Sequence, residues 1–273
     1  MAEFVGSFAA SHGPLLVREW DVIPAAQKVR LAAAYTELGR RISLARPDVI
    51  VEIAPDHWSN FFLDNIPSVC IGVGETHEGP PEPWMKAFPH RELAGDAGLA
   101  AHIAQSALEN GFEPSLSHRL KLDHGFCIPL LRMGLAPLPR IVPVIVNSIE
   151  PPLPSLRRCL QWGELIRKSI ASYPAPLRVA VLGSGGLSHS IGEPTMGAID
   201  EKLDRECIRL FAAPENELLL YLEKHLPTSG NGTEEIRNWL VAHGAAGGRG
   251  FELIDYLPVH TVIVGCGFAA WQA

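Results

Sequence analysis

Short apolar runs that end in a Gly- or Pro-bearing loop carrying a histidine recur along this chain. That repeated junction constrains the fold more than any other feature. Residues 4–10 (FVGSFAA) run into Ser11-His12-Gly13-Pro14, and residues 49–54 (VIVEIA) run into Pro55-Asp56-His57. Residues 179–182 lead through Gly185-Gly186-Leu187-Ser188 to His189. His124 stands just before another apolar run, in LDHGF. Between these junctions the pattern turns amphipathic. Residues 25–45 place Leu38 and Ile42 at helical spacing, and 95–110, 154–172, 213–225 and 233–243 also read as helices. Residues 141–146 (IVPVIV) and 262–268 read as strands, with Pro143 placing the former at a sheet edge or a bulge. Such alternation predicts an α/β fold, three-layer α/β/α with a mixed central sheet. In such sheets, sites gather in the loops beyond strand ends.

The chain of 273 residues is long enough for one large domain or two small ones. No low-complexity linker divides it and no repeat is visible. The Pro/Gly-rich stretch 72–89 reads as a surface loop, so 1–273 is read as a single domain. Lys and Arg total 23 against 30 Asp and Glu, with no basic run, which argues against nucleic acid as a partner. No apolar stretch reaches membrane-spanning length, and the N-terminus lacks the basic opening of a signal peptide. Five scattered cysteines, never in CxxC spacing, fit a reducing cytosol and neither a disulfide framework nor a structural zinc site.

Eleven histidines are the unusual count. His77, His90, His102, His118, His225 and His243 lack the strand-end context and read as structural or solvated. His12, His57, His124 and His189 share it. Neutral imidazole is both a metal ligand and an acid/base near neutral pH. Two histidines and one carboxylate on one face of a metal leave positions open for substrate and O2, as in non-haem Fe(II) oxygenases. A zinc site with the same donors looks identical at this level.

FAASHGP, APDHWSNFF, LDHGFCIPL, VPVIVNSIEPPLPSLRRC and GSGGLSHS occur in this order. Together they resemble the class III (LigB-type) extradiol ring-cleavage dioxygenases, and the resemblance runs from residue 4 to about 268. It implies Fe(II) held by His12, His57 and a glutamate in an E-x-x-x-W-L pattern, which Glu235 meets with Trp239 and Leu240. Glu234 is the neighbouring register. Without the resemblance, both read as first-turn helix acids after a Thr233 cap. It implies His189 as acid/base, and His124 as a second proton-transfer group with Asp123 to orient it. The glycines before His189 allow close approach to substrate or serve a tight turn. His260 falls where a substrate-contacting polar residue is often found, or is a satisfied strand-end histidine.

The implied partners are a catecholic substrate and O2. The expected assembly is a homo-oligomer, with a small accessory subunit left open. DOPA-type dioxygenases are set aside by Glu235, although His243 and His260 leave a three-histidine site open. A zinc-dependent hydrolase and a non-catalytic binding relative are the other readings.

Overall fold

Strand β2 (Val49–Ala54) shows how the sequence builds the fold. All six of its residues are buried. Val49, Val51 and Ile53 enter one apolar core, while Ile50 and Ala54 enter another on the opposite face. A β-branched strand hidden on both sides is the signature of a sheet covered by helices on each face.

The structure, a computed structural model, describes residues 1–271. Its other strands are β1 (Glu3–Ala10), β3 (Val69–Gly72), β4 (Thr76–Gly79), β5 (Arg91–Ala94), β6 (Ser115–Ser117), β7 (Arg140–Val146), β8 (Arg178–Ser184), β9 (Phe251–Val259) and β10 (Val264–Trp271). The helices are α1 (Leu15–Arg18), α2 (Ala25–Ala45), α3 (Ala97–Glu109), α4 (His124–Met133), α5 (Leu156–Ser172), α6 (Glu201–Leu210), α7 (Glu215–His225) and α8 (Ile236–Ala245). Eight strands form one mixed sheet in the order β6-β3-β7-β2-β8-β1-β10-β9, with β4 and β5 as a separate hairpin. The central four, β7, β2, β8 and β1, run parallel. Helices α2 and α4 cover one face, and α3, α5 and α8 cover the other. This is the three-layer arrangement the alternation predicts.

Because β2, β8 and β1 are neighbours and parallel, their carboxyl ends open at one edge of the sheet. His12 lies two residues past β1, His57 three past β2 and His189 five past β8. Topology therefore brings together histidines that are up to 177 residues apart in sequence.

Three local expectations are corrected. Pro143 is neither at an edge nor in a bulge. It sits in the interior strand β7, in unbroken register with Glu52 of β2. The pairing of β7 with β3 stops at Val144, so the proline falls where that ladder is already open. Residues 72–89 are more than a surface loop. They contain β4, and they bury Met85 and Phe88. His260 lies exposed in a 3-10 turn, His260–Val262, 3.9 Å from Glu201. It does not reach the site described below. Helix α6, with Leu203, Cys207, Ile208 and Leu210 on its buried face, was not anticipated.

Candidate metal centre

A cavity of about 390 Å³ opens beyond the carboxyl ends of β1, β2 and β8. His12, His57, His124, His189 and Glu235 all line it. The carboxylate is the hub. Glu235 Oε1 lies 3.4 Å from His12 Nε2, 3.4 Å from His57 Nε2 and 3.8 Å from His189 Nε2. The His57 and His124 rings stand 4.0 Å apart, and the His12 ring is 5.0 Å from His57 and 5.7 Å from His124.

The four imidazoles follow one rule: an acceptor engages Nδ1, which turns Nε2 toward the cavity. Ser184 Oγ donates to the Gly125 carbonyl, so its oxygen accepts from His12 Nδ1–H at 2.9 Å. Asp123 Oδ2 faces His57 Nδ1 at 3.3 Å and also accepts from the His57 main-chain N–H at 2.7 Å. Glu82 Oε1 accepts from His124 Nδ1 at 2.7 Å and from its main-chain N–H at 2.9 Å. The Leu187 carbonyl accepts from His189 Nδ1 at 2.9 Å. Carbonyls and carboxylates only accept, so the tautomers follow from the partners. Anchoring the far nitrogen is how ligating histidines are oriented.

Glu235 is held from the other side. Gly186 N–H donates to Oε2 at 2.7 Å, leaving Oε1 to the imidazoles. One helical turn on, Trp239 Nε1 donates to the Gly185 carbonyl at 2.9 Å. The four-residue spacing of Glu and Trp thus clamps one loop from one helix face. Gly185 (φ 133°) leaves room for this, because a Cβ there would sit 2.8 Å from Glu235 Oε2. The glycines therefore serve the carboxylate as well as the turn. Gly232 is equally tight, since a Cβ would meet His189 Nε2 at 2.1 Å.

Charges follow the contacts. Burial pushes Glu235 up, but the imidazoles of His12 and His189 outweigh it and hold the carboxyl well below its usual range. Burial also opposes a charge on His57. Asp123 and Glu235 overcome that and carry it to about 10. Burial, with His57 alongside, lowers His124.

Several expectations meet this geometry directly. Glu234 turns away and pairs with Arg237, while Glu235 faces the cavity. Thr233 does not cap α8, because its hydroxyl donates to the Ser229 carbonyl at 2.7 Å. Asp123 orients His57 and not His124, whose partner is Glu82. Sequence reasoning missed Glu82 and Ser184. Glu82 hides in a Pro-rich loop, and its only signal is a carboxylate among residues with no helical or strand pattern.

The donor set suits a metal ion. His12 Nε2 is buried and has no hydrogen-bond partner among the described residues. An orphaned imidazole lone pair beside a carboxylate oxygen is an expensive arrangement that a cation relieves. The nitrogens of His12, His57 and His124 also fall within 4.8 Å of one another.

A family profile described as the catalytic LigB subunit of aromatic ring-opening dioxygenase matches residues 6–267. The chain belongs to the LigB family. The chain is similar to a Klebsiella pneumoniae (strain 342) protein named 2,3-dihydroxyphenylpropionate/2,3-dihydroxicinnamic acid 1,2-dioxygenase. It is 36% identical over 166 residues, 60% of this chain and 50% of that protein. A protein of the same name from Cupriavidus necator (32% over 203 residues) and one named as dioxygenase 1 of that kind from Pseudomonas putida (34% over 208 residues) match 72% and 71% of this chain. In each of these two, the match takes up 59% of the relative's length. The matched region thus spans between half and three fifths of these curated relatives. A crystal structure of an uncharacterized Escherichia coli K12 protein superposes with a TM-score of 0.64 at 15% identity, over 98% of this chain and 100% of that one. That likeness concerns the fold alone. Among the described residues no helix is long and apolar enough to cross a membrane.

Proposed function

We propose that this protein is a non-haem Fe(II) extradiol dioxygenase, formed by residues 1–273 as one catalytic domain. It inserts both atoms of O2 into a catechol and opens the ring beside the two hydroxyls, giving a hydroxymuconic semialdehyde type of product. The observation that carries the proposal is the convergence of imidazole Nε2 atoms on Glu235 Oε1 in one cavity.

In this reading His12, His57 and Glu235 hold the metal, and His189 and His124 move protons. Ferrous iron bound there would supply the electron transfer by which a catecholate and O2 react. His189 presents a bare Nε2, because its Nδ1–H is committed to the Leu187 carbonyl. It therefore takes a hydroxyl proton from the incoming catechol. His124 stacks beside His57 and is steadied by Glu82. The proton that His189 takes is given back as the ring opens, from His189 or by way of His124, and the Glu82 carboxylate balances the charge while His124 carries it. Burial of His12, His124, His189 and Glu235 keeps bulk water from those transfers.

The proposal includes assembly as a homo-oligomer. A small accessory subunit is the alternative cover for the cavity mouth, where Trp58 is 39% and Ile191 47% exposed. It also includes a cytoplasmic location, which five buried, unpaired thiols support.

The test is O2 uptake by the iron-loaded protein with a panel of catechols, followed with product absorbance. Equal uptake of O2 and loss of catechol supports the reading. Hydrolytic activity that survives replacement of iron by zinc, with no O2 uptake, contradicts it. A second reading rests on the nitrogens of His12, His57 and His124, which lie within 4.8 Å of one another. There His124 is a ligand in place of Glu235, and removal of His124 strips the metal.

A further inference from the structure

The cavity wall beyond the imidazoles has a charge pattern of its own. Leu15, Trp58, Ile149, Ile191, Val262 and Ile263 make up its apolar side. Trp58 (φ 59°) and Ile263 (φ 53°) hold left-handed backbone, which side-chain-bearing residues rarely adopt. Their positions are therefore set by the surrounding fold and not by local preference.

No Lys or Arg lines the cavity among the described residues. The guanidiniums on the elements that build the site are committed elsewhere. Arg237 pairs with Glu234 and donates to the Pro154 carbonyl at 2.8 Å. Arg18 lies 5.9 Å over the Trp84 ring, and Arg132 lies 3.8 Å over that of Trp20. Asn231, on the same wall, uses both ends of its amide on the Ile191 main chain, each at 2.9 Å. Glu150 also lines this wall. Asn147 holds it through the main chain, accepting from its N–H at 3.2 Å and donating to its carbonyl at 2.7 Å.

A metal dication, Glu235 and a catecholate monoanion cancel, and the proton passed to His189 stays beside Glu235, 3.8 Å away. A second anion on the ring would meet a wall with no Lys or Arg among the described residues and with Glu150 among those that line it. Burying an unpaired charge is costly, and like charges add to that cost.

We propose, resting on the catechol-cleaving reading above, that the cavity selects catechols whose ring substituent is apolar and not anionic. Glu150 is the specificity-determining residue that turns ring carboxylates away. Discrimination of this kind works by an unpaired charge set against the wrong ligand and not by added attraction to the right one. The Klebsiella relative is named for a substrate with a carboxylate side chain.

The experiment uses the full chain loaded anaerobically with iron, and three probes: catechol, 3-ethylcatechol and 2,3-dihydroxyphenylpropionate. Anaerobic Kd is read from tryptophan fluorescence, and kcat/KM is then read from O2 uptake. The ethyl probe should exceed the propionate probe by about tenfold or more in both quantities. Glu150→Gln should narrow that ratio, and Glu150→Lys should close or invert it. A wild-type preference for the propionate, or a ratio that Glu150→Lys leaves unmoved, overturns the proposal while ring cleavage itself stands. If no catechol drives O2 uptake, the reading of the reaction fails, and the anaerobic Kd ratio still decides the charge selection by the same criteria.

Discussion

Glu235 and Glu52 are both glutamates buried almost completely, and the structure treats them in opposite ways. Glu235 sits past the strand ends, within reach of three imidazoles and one main-chain N–H. Its contacts hold it ionised. Glu52 sits in the middle of β2, and neither carboxylate oxygen has a partner among the described residues. Burial, with Asp123 adding to it, pushes its carboxyl well above the usual range, so it stays protonated. Burial alone therefore does not make a carboxylate a ligand. What decides is whether the fold brings counter-charges to it, and here the parallel strand ends do so for only one of the two.

The largest effect that would break this contrast comes from His189. Without it, one imidazole facing Glu235 is gone and the proposed base is lost. His189→Ala should lower turnover by about 10²–10⁴-fold while iron is retained. Activity near wild type would remove His189 from the proton path.

Asp123 lies between the two regions, because it braces His57 and raises Glu52. Asp123→Asn should weaken metal binding by roughly 10–100-fold, as loss of a partner behind a ligating histidine does. Unchanged affinity in a metal titration would show that the brace is idle. The same variant should lower the proton affinity of Glu52.

The metal-free site adds a pH dependence. His57, raised from 6.5 to about 10, is protonated at pH 7, so a metal must displace that proton. Affinity should rise with pH up to about 10. In the metal-free protein, the stability His57 contributes is fully present below pH 6.5 and lost as pH rises through about 10. Denaturant melts of wild type and His57→Ala across that window would read the difference.

The smallest effect belongs to Glu52. Glu52→Met removes an unsatisfied buried acid and should stabilise the fold by about 1–3 kcal/mol without changing iron content. The native state holds a proton that the unfolded chain releases above pH 4.5, so wild-type stability falls as pH rises from there. The gain from Glu52→Met should therefore grow with pH, and a gain that is flat with pH would mean Glu52 is not held protonated.

Much of this was legible in the sequence. Strand-end histidines announced themselves because short apolar runs stop abruptly at Gly and Pro. The helix over 25–45 coincides with α2 (Ala25–Ala45). Glu235 needed the E-x-x-x-W-L resemblance, since two adjacent acids at a helix start look alike until one is seen pairing with Arg237. Glu82 and Ser184 escaped because their roles are long-range: Glu82 reaches His124 across 42 positions, and Ser184 reaches His12 across 172. The edge placement for Pro143 failed because it assumed a full ladder on both sides of the strand, whereas β3 meets β7 only at Val144, Ile145 and Val146. Helix α6 (Glu201–Leu210) has readable spacing, with Leu203, Cys207, Ile208 and Leu210 on its buried face. Its Asp204 fixes the His189 loop, accepting from Ser188 N–H and Oγ–H, each at 2.8 Å.

The account stands most directly on which carboxylate or imidazole completes the metal centre. Iron content after anaerobic loading and gel filtration, compared between Glu235→Ala and His124→Ala, decides it. The account predicts that Glu235→Ala loses nearly all its iron while His124→Ala keeps about one per chain. Iron retained in Glu235→Ala and lost from His124→Ala would contradict it.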